Sequence, residues 1–336
     1  MRPFKYSTGN TVQTAVKLVA ANPGSKFLAG GTNIIDLMKE DVERPTELVD
    51  ITSLKLAHVK TIAEGANKGG VALGALGKNT ETANHELIRS QYPLLTQAIL
   101  AGASAQIRNM ATNGGNLMQR TRCPYFYEVA MPCNKRQPGT GCGAMEGINR
   151  MHAIFGWSEK CIAVYPSDMA VALAALDAVV NVQTPTGQQR DIAFTDFHRL
   201  PGDAPEKDNN LLHGELITGI ELPPNKFANH SYYLKVRDRA SYAFALLSVG
   251  SALQLDGNKI VKANIAMGGV AHKPWRALTA EKMLLGKEAT EANFKAAAEA
   301  EMNLAKPLEH NKYKVELGKR AIARALYMAL NYNGSK

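Results

Sequence analysis

Residues 25–39 read Ser-Lys-Phe-Leu-Ala-Gly-Gly-Thr-Asn-Ile-Ile-Asp-Leu-Met-Lys and predict, in order, a strand, a glycine loop and a helix. The first five residues have the apolar character of a short strand, and apolar residues recur at helical spacing over residues 34–39. A glycine pair beside a hydroxyl and an amide, placed before a helix, offers backbone donors to a phosphate group. A tight turn capped by Thr32 or Asn33 is the alternative interpretation, because glycine pairs are common in turns.

A second loop, Thr-Asn-Gly-Gly-Asn at residues 112–116, repeats this chemistry. Two such loops together would suit the two phosphates of one dinucleotide. Neither loop has the Walker A sequence or the Gly-x-Gly-x-x-Gly pattern. Residues 139–144 match Gly-x-Gly-x-x-Ala, but they follow a polar stretch instead of a strand, so we do not interpret them as a nucleotide site.

Strands and helices alternate outward from the first loop, which predicts an α/β or α+β layer fold. In the N-terminal part, we predict strands over residues 47–51, 70–76, 179–184 and 216–222 and helices over residues 92–103 and 169–178. Pro223 and Pro224 mark a domain boundary, since proline cannot donate to a β-ladder. Beyond it we predict strands over 232–237, 246–255 and 259–267, a hairpin turn at Asp256-Gly257, and helices over 291–305 and 313–331.

The four cysteines of the chain lie between residues 123 and 161 and predict a single site: Cys123, Cys133, Cys142 and Cys161. Residues 120–147 are polar, rich in glycine and proline, and without periodicity, which is typical of a long inserted loop. No Cys-x2-Cys pair is present, although structural zinc sites normally use one. Two disulfides would need an oxidising compartment. A 4Fe-4S cluster asks only that one thiolate reach each iron, so on the residues alone a cluster, zinc and disulfides all stay open.

The formal net charge of +9 comes from basic residues spread among acidic ones. Such a distribution argues against a nucleic-acid partner and is equally compatible with a polyanionic cofactor or an acidic partner chain. The N-terminus lacks the apolar stretch of a secretory signal, and we expect no membrane span and no export signal on this chain. Arg120, Arg122, Lys135 and Arg136 lie beside the candidate cluster ligands and would offset the negative charge of a thiolate cluster.

Two further positions have both a structural and a functional interpretation. Asp168 follows Pro166-Ser167 at the start of a helix, where it either caps the helix or accepts hydrogen bonds from ribose hydroxyls. Lys235, Arg237 and Arg239 alternate in a predicted strand, so they form either a solvated face or a face toward a cofactor phosphate, a reduced flavin or an acidic neighbour.

Together these motifs resemble the FAD-binding subunit of the xanthine dehydrogenase family of molybdenum hydroxylases. The resemblance spans nearly the whole chain and rests on four stretches in order: residues 28–34 (Leu-Ala-Gly-Gly-Thr-Asn-Ile), 112–116 (Thr-Asn-Gly-Gly-Asn), 166–168 (Pro-Ser-Asp) and 235–245 (Lys-Val-Arg-Asp-Arg-Ala-Ser-Tyr-Ala-Phe-Ala). Most members lack the cysteine insert. Residues 120–127 (Arg-Thr-Arg-Cys-Pro-Tyr-Phe-Tyr), 132–136 (Pro-Cys-Asn-Lys-Arg) and the later cysteines resemble the branch of bacterial periplasmic aldehyde oxidoreductases, whose FAD subunit holds a 4Fe-4S cluster.

The resemblance implies an α+β protein with an FAD-binding fold of the vanillyl-alcohol oxidase (PCMH) type. It implies an FAD-binding domain at residues 1–224, with two α/β subdomains at about 1–56 and 57–224 and the 4Fe-4S insert at about 119–162. A domain at 225–336 of antiparallel sheet and helices would follow, like the C-terminal domain of CO dehydrogenase flavoproteins.

The resemblance also implies the cofactor-binding residues. The pyrophosphate would lie on a first set of residues, Lys26, Phe27, Leu28, Ala29, Gly30, Gly31, Thr32, Asn33, Ile34 and Ile35, and on a second, Thr112, Gly114, Gly115 and Asn116. Asp168 would bind the ribityl or ribose portion, Gly102 and Ile217 would line the flavin region, and Lys235 would lie near the isoalloxazine. The four cysteines would bind the 4Fe-4S cluster.

In the family, the redox centre of this subunit is FAD and no side chain is catalytic. The implied function is to pass electrons from the 2Fe-2S clusters of a small subunit, through FAD, to an external acceptor, while a large subunit with the molybdenum cofactor oxidises an aldehyde. The resemblance favours a periplasmic heterotrimer exported with a partner that has a twin-arginine signal; a cytoplasmic enzyme is the alternative. The FAD and 4Fe-4S subunit of a 4-hydroxybenzoyl-CoA reductase and a zinc-stabilised nucleotide-binding protein without redox activity are the other candidates.

Overall fold

The chain begins with a small parallel sheet. The computed structural model describes residues 1–332. Three strands, β1 (Lys5–Thr8), β2 (Ser25–Leu28) and β3 (Glu47–Asp50), pair in the order β1-β3-β2. Because parallel neighbours need crossover connections, helices α1 (Val12–Ala20) and α2 (Ile34–Lys39) join them. The predicted strand and helix of residues 25–39 are confirmed.

A second sheet is antiparallel throughout. Its strands are β4 (Val59–Thr61), β5 (Val71–Gly74), β6 (Val179–Gln183), β7 (Gln189–Ala193) and β8 (Leu216–Leu222), in the order β4-β5-β8-β6-β7. Strand β8, the last of this sheet along the chain, lies between β5 and β6. The long segment from residue 75 to residue 178 leaves the sheet after β5 and returns to it at β6. Both the second glycine loop and the cysteine insert lie in that segment.

Most helices of that segment are short. They are α3 (Asn79–Asn84), α4 (Glu86–Gln91), α5 (Pro93–Ala101), α6 (Ala105–Met110), α7 (Asn113–Leu117), α8 (Pro124–Tyr127) and α9 (Asp168–Ala175), and α10 (Phe194–Phe197) follows β7. Every residue of α9 is buried, which explains why its sequence is apolar on all sides.

The C-terminal part contains a four-stranded antiparallel sheet covered by helices. Its strands β9 (Ser231–Val236), β10 (Leu247–Asp256), β11 (Lys259–Gly268) and β12 (Trp275–Arg276) have the order β12-β11-β10-β9, and helices α11 (Leu278–Leu284), α12 (Glu291–Met302) and α13 (Tyr313–Leu330) follow. Gly257 has a φ of +56° in the predicted hairpin turn, a conformation that glycine adopts without strain. Residues 333–336 of the predicted C-terminal domain lie outside the described residues.

The predicted α+β class is confirmed. Helix α9 packs between α5 and strands β10 and β11, so it links the core of the second sheet to the C-terminal sheet. Strand β9 ends at Val236, and Arg237 and Arg239 therefore do not continue the predicted cationic strand face beyond Lys235. Within residues 1–332, no helix combines the length and apolar character that crossing a bilayer would require.

Candidate functional site

The first glycine loop joins β2 to α2 and packs tightly against the segment before the second loop. A Cβ atom at Gly30 would overlap the carbonyl group of Met110, so only glycine allows this approach. Gly31 has a φ of +72°, in the region that favours glycine. Asn33 does not cap α2 with its side chain; its Oδ1 accepts a hydrogen bond from the backbone N–H of Arg120 at 2.9 Å. Its Nδ2 is buried and has no partner among residues 1–332, which leaves a donor for a ligand in the loop.

The second loop uses most of its polar groups within the protein. Thr112 caps α7 by accepting from the N–H of Gly115 at 3.2 Å, and the N–H of Gly114 donates to Ala75 at 2.8 Å. The side chain of Asn116 donates to Asn79 at 2.8 Å. The two loops are therefore similar in sequence, but the second loop has fewer hydrogen-bond donors left for a ligand than the first.

The two loops lie between two large cavities. The first, of about 710 Å³, is lined by the first loop, by Thr112 and Gly114, and by Ile217. The second, of about 590 Å³, is lined by Gly102, Asp168 and Lys235. Three residues line both cavities: Thr32, Asn33 and Gly115. The arrangement suits an extended ligand whose charged middle crosses the loops and whose two ends fill the cavities.

Most of the predicted cofactor residues lie along this path, and a few do not. Lys26, Phe27, Ala29, Gly30, Gly31 and Ile34 line the first cavity, and Asn116 lines the second. Leu28 and Ile35 line neither cavity. Ile217 and Gly102, predicted to share the flavin region, lie in different cavities.

A buried ion pair forms one wall of the second cavity. Asp168 accepts from Lys235 Nζ at 2.8 Å and from the Tyr233 hydroxyl at 2.6 Å, and the side chains of Lys235 and Asp168 are 5% and 9% exposed. Burial and the Asp168 carboxylate raise the pKa of Tyr233 well above its ordinary value. Ser167, not Asp168, caps α9, because its hydroxyl accepts from the N–H of Ala170 at 3.0 Å. Gly102 lies beside the pair, where a Cβ would be 3.1 Å from Asp168 Oδ2.

The four cysteines of the insert are free thiols. Cys133 and Cys142 face each other across an isolated antiparallel bridge, and Cys161 forms a similar bridge with Ser158. Burial raises the pKa of Cys123 to about 12 and that of Cys161 to about 11, and in both cases neighbouring cysteines raise it further. Within residues 1–332, no three His, Cys, Asp or Glu side chains are grouped as ligands of one metal ion.

Hydrogen-bond donors surround the Cys123 sulfur. The backbone N–H groups of Tyr125 and Phe126, in the first turn of α8, oppose the rise in the Cys123 pKa. His152 is buried, with its Nε2 3.1 Å from Cys123 Sγ. Donors of this kind are typical around a thiolate sulfur. Sequence reasoning did not find His152, because this residue belongs to no motif.

The basic residues beside the cysteines also have partners of their own, although the charge of Lys135 still lowers the pKa of Cys161. Arg120 bridges Glu43 at 2.6 Å and Asp208 at 2.7 Å. Lys135 is buried and also pairs with Asp208. The other two basic residues make these contacts: Arg122 pairs with Asp36, and Arg136 donates to the carbonyl groups of Tyr125, Phe126, Val129 and Met131.

Comparison with known protein families identifies the family to which the chain belongs. Residues 2–225 match the family described as FAD binding domain in molybdopterin dehydrogenase, and residues 232–329 match the CO dehydrogenase flavoprotein C-terminal domain. The chain belongs to this family of molybdopterin dehydrogenase FAD-binding domains. It is therefore an FAD-binding subunit of an oxidoreductase of the molybdenum hydroxylase family, and the predicted family membership is confirmed.

Relatives in this family are similar over nearly their whole length. The chain is 48% identical over 327 residues to the aldehyde oxidoreductase FAD-binding subunit of Escherichia coli (strain K12), covering 97% of this chain and 98% of the relative. It is 30% identical over 286 residues to the glyceraldehyde dehydrogenase medium chain of Sulfolobus acidocaldarius, covering 85% and 82%.

Solved structures of the family share the fold. The structure of quinoline 2-oxidoreductase from Pseudomonas putida 86 aligns over 99% of both chains with a TM-score of 0.75 and 21% identity. That of carbon monoxide dehydrogenase from Hydrogenophaga pseudoflava aligns over 99% of this chain and 100% of that chain, with a TM-score of 0.75 and 23% identity. At these identities the likeness concerns the fold alone.

Proposed function

We propose that this chain is the FAD- and 4Fe-4S-binding electron-transfer subunit of a heterotrimeric, molybdenum-dependent aldehyde oxidoreductase. The observation that supports this best is the 48% identity, over 97% of this chain, to an aldehyde oxidoreductase FAD-binding subunit. The chain would receive electrons from a small 2Fe-2S subunit and deliver them to an external acceptor, while a large subunit with the molybdenum cofactor oxidises the aldehyde. FAD, when bound, supplies the conversion between one-electron and two-electron transfer.

The residues present fit FAD. The cofactor is long, with a pyrophosphate between two bulky ends, and the two cavities meet at Thr32, Asn33 and Gly115. The buried Asn33 Nδ2 has no partner within residues 1–332, and a buried amide donor is normally hydrogen-bonded. We infer that this amide donates to the pyrophosphate, with the flavin end in the cavity that contains Asp168 and Lys235.

The ion pair in that cavity limits the role that Lys235 can have toward the flavin, because its charge is already paired. Its ammonium group is already neutralised by Asp168, 2.8 Å away, and also donates to the carbonyl group of Ala101 at 3.0 Å. We infer that Asp168 and Lys235 orient the flavin end through a fixed pair of opposite charges. Lys235 could stabilise the anionic reduced flavin as an unpaired cation only if its ion pair with Asp168 opened.

The residues present also fit a 4Fe-4S cluster. Thiolates are the usual cluster ligands, and each of the four needs to reach only its own iron. The donor set supports the proposal, since four free thiols lie in one insert and backbone donors lie near Cys123. Cys123, Cys133, Cys142 and Cys161 would each bind one iron.

We further propose the domain limits and the cellular setting. An FAD-binding domain at 1–224, with subdomains at about 1–56 and 57–224 and the insert at about 119–162, and a second domain from 225 agree with the grouping of strands into sheets. The resemblance to periplasmic aldehyde oxidoreductases supports export together with a partner that has a twin-arginine signal. Fractionation of cells that express the whole complex would test the location, with the enzyme in the cytoplasm as the contrary result.

Purification of the tagged chain with its co-expressed partners tests the proposed function. We expect oxidised-flavin absorption bands over a broad iron-sulfur shoulder, about four irons per copy of this chain beyond those of the 2Fe-2S subunit, and aldehyde oxidation by the complex. Zinc without iron or flavin would support a non-redox nucleotide-binding protein instead. Reduction of an aromatic acyl-CoA without aldehyde oxidation would support the 4-hydroxybenzoyl-CoA reductase alternative.

A cysteine variant then separates two roles of the cluster. If the cluster conducts electrons, Cys142→Ser should remove turnover while FAD remains bound at the wild-type level. If the cluster only stabilises the insert, the same variant should keep turnover in the fraction that stays folded.

A further inference from the structure

Lys314 is a fully buried lysine near the start of α13, in the C-terminal part of the chain. Its side chain is 0% exposed. The ammonium group donates to two backbone carbonyls, that of His152 at 2.9 Å and that of Gly269 at 2.7 Å. No carboxylate within residues 1–332 forms a salt bridge with it.

This absence of a counter-charge sets Lys314 apart from the other fully buried lysine of the described chain. Lys135 is equally buried, but it forms an ion pair with Asp208. The charged neighbour that acts on Lys314 is Arg150, which is also positive, and burial together with Arg150 lowers the pKa of Lys314 to about 7. A buried ammonium without a counter-charge destabilises a fold strongly. A negative charge that is not part of the polypeptide would remove this penalty.

The path from Lys314 leads directly to a predicted cluster ligand. Its ammonium group holds the carbonyl of His152, and the ring of the same histidine lies with Nε2 3.1 Å from Cys123 Sγ. A thiolate can only accept, so when Cys123 is a thiolate the contact requires the tautomer in which Nε2 donates its hydrogen to the sulfur. Within residues 1–332, the other ring nitrogen, Nδ1, is buried without a partner. His152, Cys123 and Gly269 also line one small cavity of about 240 Å³.

We propose that Lys314 is the counter-charge of the 4Fe-4S cluster, acting behind the hydrogen bond from His152 to Cys123. The inference rests on the proposed function, because it requires the cluster in the insert. A 4Fe-4S cluster with four thiolate ligands has a net negative charge. Among the basic residues nearest the cysteines in sequence, Lys135 acts on Cys161 but shares its charge with Asp208, Arg120 is paired with carboxylates, and Arg136 is bound to carbonyl groups. Lys314 is thus a positioning and tuning residue, supplied to the insert from a helix more than a hundred residues away in sequence.

Two consequences follow from a counter-charge. The ammonium stabilises the reduced cluster more than the oxidised one, because the reduced cluster is more negative, so Lys314 raises the cluster midpoint potential. The same ammonium destabilises the protein when the cluster is absent and stabilises it when the cluster is present. A purely structural lysine would have neither property.

Lys314→Gln tests the inference, since an amide keeps donors for the two carbonyls and removes the charge. In the co-purified complex, we expect wild-type iron content and a lower cluster midpoint potential in a redox titration followed by electron paramagnetic resonance. Lys319→Gln is the matched control on the same helix, because Lys319 is partly exposed and already paired with Glu299 at 3.3 Å; we expect no shift. An unchanged cluster potential in Lys314→Gln with full iron content would overturn the inference while leaving the proposed function intact.

Thermal unfolding provides the second measurement. Lys314→Gln should raise the midpoint of the iron-free protein and lower that of the cluster-loaded protein, a reversal of sign that loss of a structural contact cannot produce. A lower midpoint in both forms would overturn the inference. Wild-type complex without iron in the insert, but with FAD and aldehyde oxidation, would reject the cluster and this inference together and retain the flavin function.

Discussion

At the scale of single residues, the buried pair of Lys235 and Asp168 makes the flavin cavity sensitive to substitution. Lys235→Met leaves the Asp168 carboxylate buried with only the Tyr233 hydroxyl as side-chain partner. Removing one member of a buried ion pair destabilises a protein by about 3 kcal/mol. We expect Lys235→Met to lower the free energy of unfolding by about that amount, measured by denaturant titration, and to weaken FAD binding.

A double variant shows whether the loss comes from the unpaired carboxylate. Adding Asp168→Asn to Lys235→Met removes the buried charge, so the double variant should be more stable than Lys235→Met alone. Additive losses in the two single variants would contradict the ion-pair explanation.

Sequence reasoning found the residues that belong to local motifs and missed those that depend on distant contacts. The four cysteines and the first glycine loop were predicted because each lies in a compact, unusual stretch. Asp208, His152 and Lys314 were not, because each is a lone polar residue whose neighbours come from other parts of the chain. Only the folded structure shows that Lys314 reaches the insert.

At the scale of elements, the close approach of the first glycine loop to the segment before the second loop predicts a strict requirement for glycine. Gly30→Ala forces the loop away from Met110, because the added Cβ overlaps its backbone carbonyl. We expect the FAD dissociation constant to rise at least about tenfold, equivalent to about 1.4 kcal/mol, in a fluorescence titration. Gly250→Ala is the control, since its Cβ would have only ordinary contacts, 3.6 Å or longer, and FAD binding should not change.

A chain of ion pairs connects the first glycine loop to the cysteine insert. Lys26 pairs with Glu43 at 3.0 Å, Arg120 joins Glu43 to Asp208, and Asp208 binds Lys135, two residues after Cys133. Burial alone would raise the pKa of Glu43, but Lys26 and Arg120 more than offset this and hold it below its usual value. The two predicted cofactor sites therefore share a continuous set of charged contacts.

Arg120→Met tests the importance of this connection. We expect a loss of about 3 kcal/mol in unfolding free energy, because two carboxylates lose their partner, and a weaker affinity for FAD. Arg276→Met is a matched control: Arg276 also bridges two carboxylates, Asp177 and Glu281, and its side chain is 12% exposed compared with 18% for Arg120. The control should lose similar stability with unchanged FAD affinity, and equal FAD affinity in both variants would argue against the connection.

Elements with a strong periodic pattern were predicted well. The predicted helix at 34–39 and strand at 216–222 have the observed bounds, α2 (Ile34–Lys39) and β8 (Leu216–Leu222). Helices α6 and α7 were not predicted, because they are short and have few apolar residues at helical spacing. Side-chain caps from Ser104 and Thr112 support them instead.

At the scale of the whole molecule, the insert contacts all three parts of the chain. Asn33 of the first loop receives the N–H of Arg120, Asp208 near the second sheet binds Lys135, and Lys314 of α13 binds His152. Through these contacts the insert connects the first sheet, the second sheet and the C-terminal helices. Loss of the proposed cluster should therefore weaken the whole assembly of sheets and not the insert alone.

Buried histidines make the stability of the whole molecule depend on pH. Burial lowers the pKa of both His198 and His272 to about 4, whereas an unfolded histidine titrates near 6.5. Between these values the unfolded chain binds protons that the folded chain does not, so the contribution of these histidines to stability is full above about pH 6.5 and falls as the pH decreases toward 4. We expect about 1 kcal/mol less unfolding free energy per histidine at about pH 5.5 than at about pH 7.5, measured by denaturant titration.

A double variant, His198→Gln with His272→Gln, tests the assignment to these histidines. The unfolding free energy of this variant should depend less steeply on pH over the same window. Glu43 and Asp208 remain ionised there, because their pKa values are lowered. An unchanged slope in that variant would assign the acid sensitivity to other groups.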